Sequence, residues 1–309
     1  MGALGWTWVL ALVFGGLMTP WEGRAQEGKL PVTASIVPLA HFCEKMGGDR
    51  VEVQVLVPPG ASPHTYEPTP SVIATASRAR LFVYVGQGLE PWADRILKSR
   101  RKEELMVVEA AKGLPLIGEA GRQEHPGGAH QKQPHRHLGV NPHVWLDPVL
   151  AKEICKGIAG ALMKIDPAHK EVYQRNLEAY LGELEALHLE IEAEVSKFRI
   201  REYVCFHPAY VYFSRRYGLK EAGVIELSPG REPTPRHVQK IVSAIKSRGI
   251  KVVFAEPQLS PRVAEAIAGE VGVRVAVLDP LGGIAPYGSD YLALMRHNLR
   301  VLEEAMGDN

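Results

Sequence analysis

Apolar residues along the chain fall into two kinds of run that alternate. Short β-rich runs at Val32–Val37, Val51–Val57, Leu81–Val85, Met106–Val108, Tyr203–Phe206, Lys251–Phe254 and Val273–Leu278 predict strands. Amphipathic stretches between them, such as Ala40–Met46, Ser71–Ala79 and Val263–Val271, predict helices. Strands alternating with helices imply parallel α/β sheets covered on both faces.

One segment breaks the alternation. Asp166-Pro167 reads as a helix start, with Asp placed to cap and Pro at the first helical position. From there Tyr173, Leu177, Tyr180, Leu184, Leu187, Ile191, Val195 and Phe198 recur at steps of three and four, a single stripe on one face. Residues 166–198 as one helix make a rod of about 48 Å, long enough to bridge two units. The expected fold is α/β, with lobes over 26–165 and 199–309 joined by this long connecting helix.

Two stretches lie outside that plan. Trp6–Met18 is an apolar run shorter than the roughly 20 residues that span a bilayer, and small residues at Gly23 and Ala25 follow it. No Lys or Arg precedes the run, but its length and flanks suit a signal peptide over 1–25, cleaved after Ala25. Residues 118–139, GEAGRQEHPGGAHQKQPHRHLG, have no apolar period and read as a mobile loop within the first lobe. The loop carries His125, His130, His135 and His137.

Composition narrows the function. The 309 residues carry a net charge of +1, which supplies no basic field for nucleic acid. Cys43, Cys155 and Cys205 are an odd number in an exported protein and match no zinc-binding spacing. They read as small buried residues, although strand alternation would turn Cys205 to the same side as His207.

In α/β sheets ligands bind beyond the carboxyl ends of the strands. His64 lies in the Pro-stiffened loop PPGASPHTYEPTP after the second predicted strand, and His207-Pro208 follows Tyr203–Phe206 directly. Asp279-Pro280 follows the last strand, and His143 sits in the compact segment NPHVWLDP. Two of these residues come from each lobe. Three imidazoles with one carboxylate suit Zn²⁺, Cu²⁺, Ni²⁺ or Co²⁺ rather than the oxygen-preferring ions. Glu256 also follows a strand, as a ligand, a supporting partner or a structural hydrogen-bond acceptor. Glu67, three residues past His64, is the only obvious general base.

The motifs SPHTYEPTP, NPHVWLDP, FHPAYVYFSRRYGL, FAEPQLS and LDPLGG, in this order, resemble the solute-binding proteins of zinc and manganese ABC transporters. The resemblance runs from about Val32 to the C-terminus. It implies a metal held between two α/β lobes by His64, His143, His207 and Asp279; Glu256 and Glu67 are candidate supporting residues by their positions alone. His207 stands where manganese-type members tend to place a carboxylate, so the resemblance implies Zn²⁺, with the His-rich loop as an accessory collector. It further implies a monomer in the periplasm serving an inner-membrane ABC permease and its cytoplasmic ATPase, and no enzyme. In relatives of the zinc type a disulfide often lies in the C-terminal lobe, whereas Cys205 is the only cysteine there. Competing expectations are the same fold serving Mn²⁺ or Fe²⁺, an adhesin or metal buffer, and a zinc metallohydrolase using Glu67.

Overall fold

A computed structural model describes residues 28–99, 105–118, 139–227 and 230–307. In chain order the first lobe contains β1 (Leu30–Ala34), α1 (Val37–Gly47), β2 (Val51–Val55), α2 (Pro70–Ala76), β3 (Leu81–Tyr84), α3 (Ala93–Ser99) and β4 (Met106–Glu109). Two helices in succession follow, α4 (Pro148–Ile165) and α5 (Lys170–Ser196). The second lobe contains β5 (Glu202–Cys205), α6 (Val211–Tyr217), β6 (Lys220–Val224), α7 (Pro235–Arg248), β7 (Val252–Ala255), α8 (Arg262–Val271), β8 (Arg274–Val277) and α9 (Tyr291–Met306).

Each lobe is built on a four-stranded parallel sheet, in the orders β2-β1-β3-β4 and β6-β5-β7-β8. The two orders are the same pattern used twice. In each, the first strand lies between the second and the third, and a crevice opens at the carboxyl end of such a switch in direction.

β6 was not expected. Its sequence, KEAGV, lacks an apolar run because it is a half-exposed edge strand needing no second buried face. The first strand also stops earlier than its β-rich pattern, since Pro38 fits the first turn of α1 and the chain turns helical at Val37.

The long helix is shorter than expected. Pro167–His169 forms a separate tight turn, leaving 27 residues in α5, about 40 Å. Asp166 does not cap the backbone. Its carboxylate accepts from Tyr173 Oη at 2.5 Å and pairs with His169 Nδ1 at 2.9 Å. The stripe is as read: Tyr173, Leu177, Tyr180, Leu184, Leu187, Ile191 and Val195 are all buried. They pack against α1, α4, α6 and α9, so the helix is a wall of the core rather than a free rod.

One core runs through the first lobe, α4, α5 and α9 into the inner face of the second sheet; a second, smaller one lies under α7 and α8. The last helix returns to the first lobe, where Tyr291 stacks edge-on against Phe42 with ring centres 4.8 Å apart. Among the described residues no helix is long and apolar enough to cross a membrane. The expected signal peptide, 1–25, lies outside the described residues.

Candidate metal centre

The three candidate histidines come from separate loops, each locally fixed. His64 sits in a turn closed by Ala61 N donating to Pro58 O at 3.1 Å and Tyr66 N donating to Ser62 O at 2.9 Å. His143 immediately precedes a tight turn, Val144–Leu146, that leads into α4, where Asp147 caps Val149 N at 2.9 Å and Pro148 opens the helix. His207 follows β5 by two residues.

Tertiary folding brings all three together. His143 Nε2 lies 3.2 Å from His64 Nε2 and 3.1 Å from His207 Nε2. One ring nitrogen from each falls within 4.8 Å of the others. A tetrahedral ion with bonds of about 2.05 Å separates its nitrogen ligands by about 3.3 Å. The two spacings from His143 Nε2 are close to that.

The site is narrow. Its walls are Ser62, Pro63, Trp145, Leu259 and Leu281 with the three imidazoles, around a cavity of about 10 Å³, room for one small sphere. Burial, then the charge of His207, pushes the His64 imidazole down to about 3. Burial, then His207 and His64, pushes His143 well below the ordinary histidine range. Both rings therefore stay neutral near pH 7 and offer lone pairs without first losing a proton.

The second nitrogens of two rings are anchored. His207 Nδ1 lies 2.5 Å from Glu256 Oε1, which also accepts from His207 N at 3.3 Å. His143 Nδ1 lies 2.9 Å from Asn141 Oδ1. Trp145 Nε1 donates to Pro280 O at 2.7 Å, closing the floor between lobes.

The remaining expected residues are placed differently. The Asp279 carboxylate is not grouped with the imidazoles. Its Oδ1 accepts from Gln258 Nε2 at 2.7 Å, Leu281 N at 2.9 Å and Gly282 N at 3.1 Å, and its Oδ2 from Tyr287 Oη at 2.5 Å. Glu67 turns to the surface and pairs with Arg95, away from the cavity. Cys205 does not face the site, because β5 ends there and alternation ceases; its Sγ meets Gly223 O at 3.8 Å. All three cysteines are free and buried, and burial raises each thiol, so thiolate chemistry is disfavoured.

His125, His130, His135 and His137 lie outside the described residues. The ends of their segment are close together: Gly118 and Val140 form an antiparallel bridge, and Asn141 N donates to Ile117 O at 2.8 Å. Asn141, Tyr212, Gln258 and Tyr287 hold the residues of the site in place without being among its motif-derived candidates. Only Asn141 carried a signal, as an Asx residue two positions before a candidate ligand.

Comparison with known proteins agrees with this arrangement. The family described as zinc-uptake complex component A, periplasmic, matches residues 32–305. The high-affinity zinc uptake system protein ZnuA of Bacillus subtilis is 32% identical over 96% of this chain and 94% of its own length. The zinc-binding lipoprotein AdcA of Streptococcus pneumoniae is 29% identical over 91% of this chain, which spans 56% of that longer protein. A zinc-bound crystal structure of a ZnuA deletion mutant superimposes with a TM-score of 0.79 at 32% identity, covering 91% of this chain and all of the other. With two like sheets, one long helix and three converging imidazoles, the chain belongs to the family of periplasmic component A of zinc-uptake complexes.

Proposed function

We propose that this protein captures Zn²⁺ outside the cytoplasm and delivers it to an ABC transporter for uptake. The single observation that carries the reading is the convergence of three imidazoles, with His143 Nε2 at tetrahedral spacing from both of the others, in a cavity sized for an ion. His64, His143 and His207 are the ligands. Asp279 is the fourth: among the described residues Oδ2 accepts only the Tyr287 bond and keeps lone-pair capacity for an ion, reached by a small adjustment of the loop after β8. Three nitrogens suit Zn²⁺ better than Mn²⁺, which favours an oxygen-richer shell.

The cavity also supports binding over catalysis. A hydrolytic zinc site needs an open position and room for a substrate, whereas this one accommodates an ion. The signal peptide over 1–25 directs the chain to the periplasm, where it acts as a monomer on an inner-membrane permease coupled to its cytoplasmic ATPase. The His-rich segment 118–139 serves as an accessory collector whose ends lie close to His143.

Metal analysis of protein purified without chelator, followed by competition between Zn²⁺ and Mn²⁺, tests the assignment. Bound zinc, displaced by no less than a large excess of Mn²⁺, is expected. Preferential Mn²⁺ retention would overturn it.

A further inference from the structure

The segment before His143 contains a side chain that touches both lobes at once. Asn141 is 3% exposed and every polar atom it has is engaged. Its Oδ1 accepts from the backbone N of His143 at 3.0 Å and faces Nδ1 of the same residue at 2.9 Å. Its Nδ2 donates to Pro208 O at 2.5 Å, on the residue after His207 in the other lobe. Tyr212, on α6, fixes the backbone from the second lobe: its hydroxyl donates to Asn141 O at 2.7 Å and accepts from Ile117 N at 3.1 Å.

The orientation of this amide is set by chemistry. The His143 backbone N–H requires an acceptor and the Pro208 carbonyl requires a donor, so exchanging O and N would oppose like groups at both ends. Because Oδ1 can only accept, the His143 ring must carry its proton on Nδ1. That leaves the Nε2 lone pair directed at His64 and His207.

We infer that Asn141 is a positioning residue that links zinc binding by His143 to the closed arrangement of the two lobes, an inference that rests on the zinc-capture reading. With the lobes together, the Pro208 carbonyl holds the amide and the amide holds the imidazole. When the lobes part, Nδ2 loses its partner, the amide is free to turn, and the tautomer of His143 that presents Nε2 is no longer enforced. A permease that separates the lobes would thereby weaken one ligand without touching it.

Two variants separate the halves of this linkage. Asn141→Ala removes both the acceptor for His143 and the donor to Pro208. Asn141→Asp keeps an acceptor for Nδ1 but loses the donor across the interface. The measurements are zinc affinity by chelator competition, zinc dissociation rate, and the protonation site of His143 by long-range ¹H–¹⁵N NMR of the metal-free protein.

Asn141→Ala is expected to bind zinc about 10- to 100-fold more weakly, with His143 populating both neutral tautomers. Asn141→Asp is expected to keep the Nδ1–H tautomer while releasing zinc about tenfold faster than the parent. A folded Asn141→Ala protein with parental affinity and an unchanged tautomer would overturn the inference. So would an Asn141→Asp protein with the parental dissociation rate, which settles the question should the alanine variant not fold. Failure of the zinc reading itself would look different: the parent would bind zinc weakly, or His143→Ala would bind as well as the parent.

Discussion

Nδ1 of His207 and Oε1 of Glu256 lie 2.5 Å apart, each side chain almost entirely buried, at the ends of the adjacent strands β5 and β7. The carboxylate oxygen there accepts from the ring, which places the ring proton on Nδ1, turns Nε2 to the cavity and makes the ring a stronger donor to a metal. Glu256→Ala is expected to lower zinc affinity about 10- to 100-fold. Glu256→Gln should retain more, because an amide oxygen still accepts from the ring. Chelator competition on both variants checks the order; equal loss in both would contradict it.

The imidazoles themselves carry the binding. Replacing His64, His143 or His207 by Ala should reduce affinity by orders of magnitude, while deleting residues 124–137 should cost much less. Isothermal titration of the four proteins decides. Loss of tight binding on loop deletion, with His143→Ala unaffected, would reverse the assignment of roles.

Zinc should also stabilise the fold. A ligand that binds only the native state at a thousand times its Kd adds about 4 kcal/mol. The thermal midpoint should therefore rise strongly with micromolar free zinc, and not rise in His64→Ala. Differential scanning calorimetry with and without metal tests both halves.

Arg216 on α6 grips Asp147, the cap of α4, with Nε and Nη2 at 2.7–3.1 Å from the carboxylate. Asp147 is buried and a third of the Arg216 side chain meets solvent. Arg216→Met should destabilise the protein by roughly 1–2 kcal/mol, less than for a fully buried pair because solvent screens the guanidinium. Adding Asp147→Asn should recover part of the loss in urea denaturation.

His41 gives the metal-free protein an acid-sensitive core. The ring is buried against Phe42 and Tyr180, its Nε2 has no partner among the described residues, and burial pushes it down to about 4, with Asp290 opposing and Lys45 adding. The folded state thus binds fewer protons than the unfolded one between about pH 4 and the ordinary histidine value near 6.5. Stability from this group is present above that upper value and is lost as pH falls toward the lower one. His41→Phe should flatten this part of the stability profile of the metal-free protein, measured by thermal midpoints from pH 4 to 7.5. An unchanged slope would rule His41 out as a source.

Much of this was legible in the sequence because it rests on local rules. The period of the stripe from Tyr173 to Val195 fixes a buried helical face whatever surrounds it. Strand-end position and flanking proline pointed to His64, His143 and His207 because a parallel sheet presents its strand ends to one crevice. Local rules failed where a distant group competed. Asp166 had a capping position but found Tyr173 and His169 instead. Alternation placed Cys205 beside His207 only while the chain remained a strand, and β5 ends at Cys205.

What the sequence determined by itself was the kind of fold and the donor set: two α/β lobes, a long helix and three rigidly held imidazoles. What only the tertiary structure decided was how those donors are aimed. His143 is held by Asn141 and His207 by Glu256, Asn141 is itself held by the Pro208 carbonyl, and the hydroxyl on Asp279 comes from Tyr287. Two of these contacts, Asn141 with Pro208 and His207 with Glu256, join residues 67 and 49 positions apart, so no spacing encodes them. Which ring nitrogen faces the ion depends on a hydrogen bond to its other nitrogen, and for His207 that bond exists only once β5 and β7 have paired.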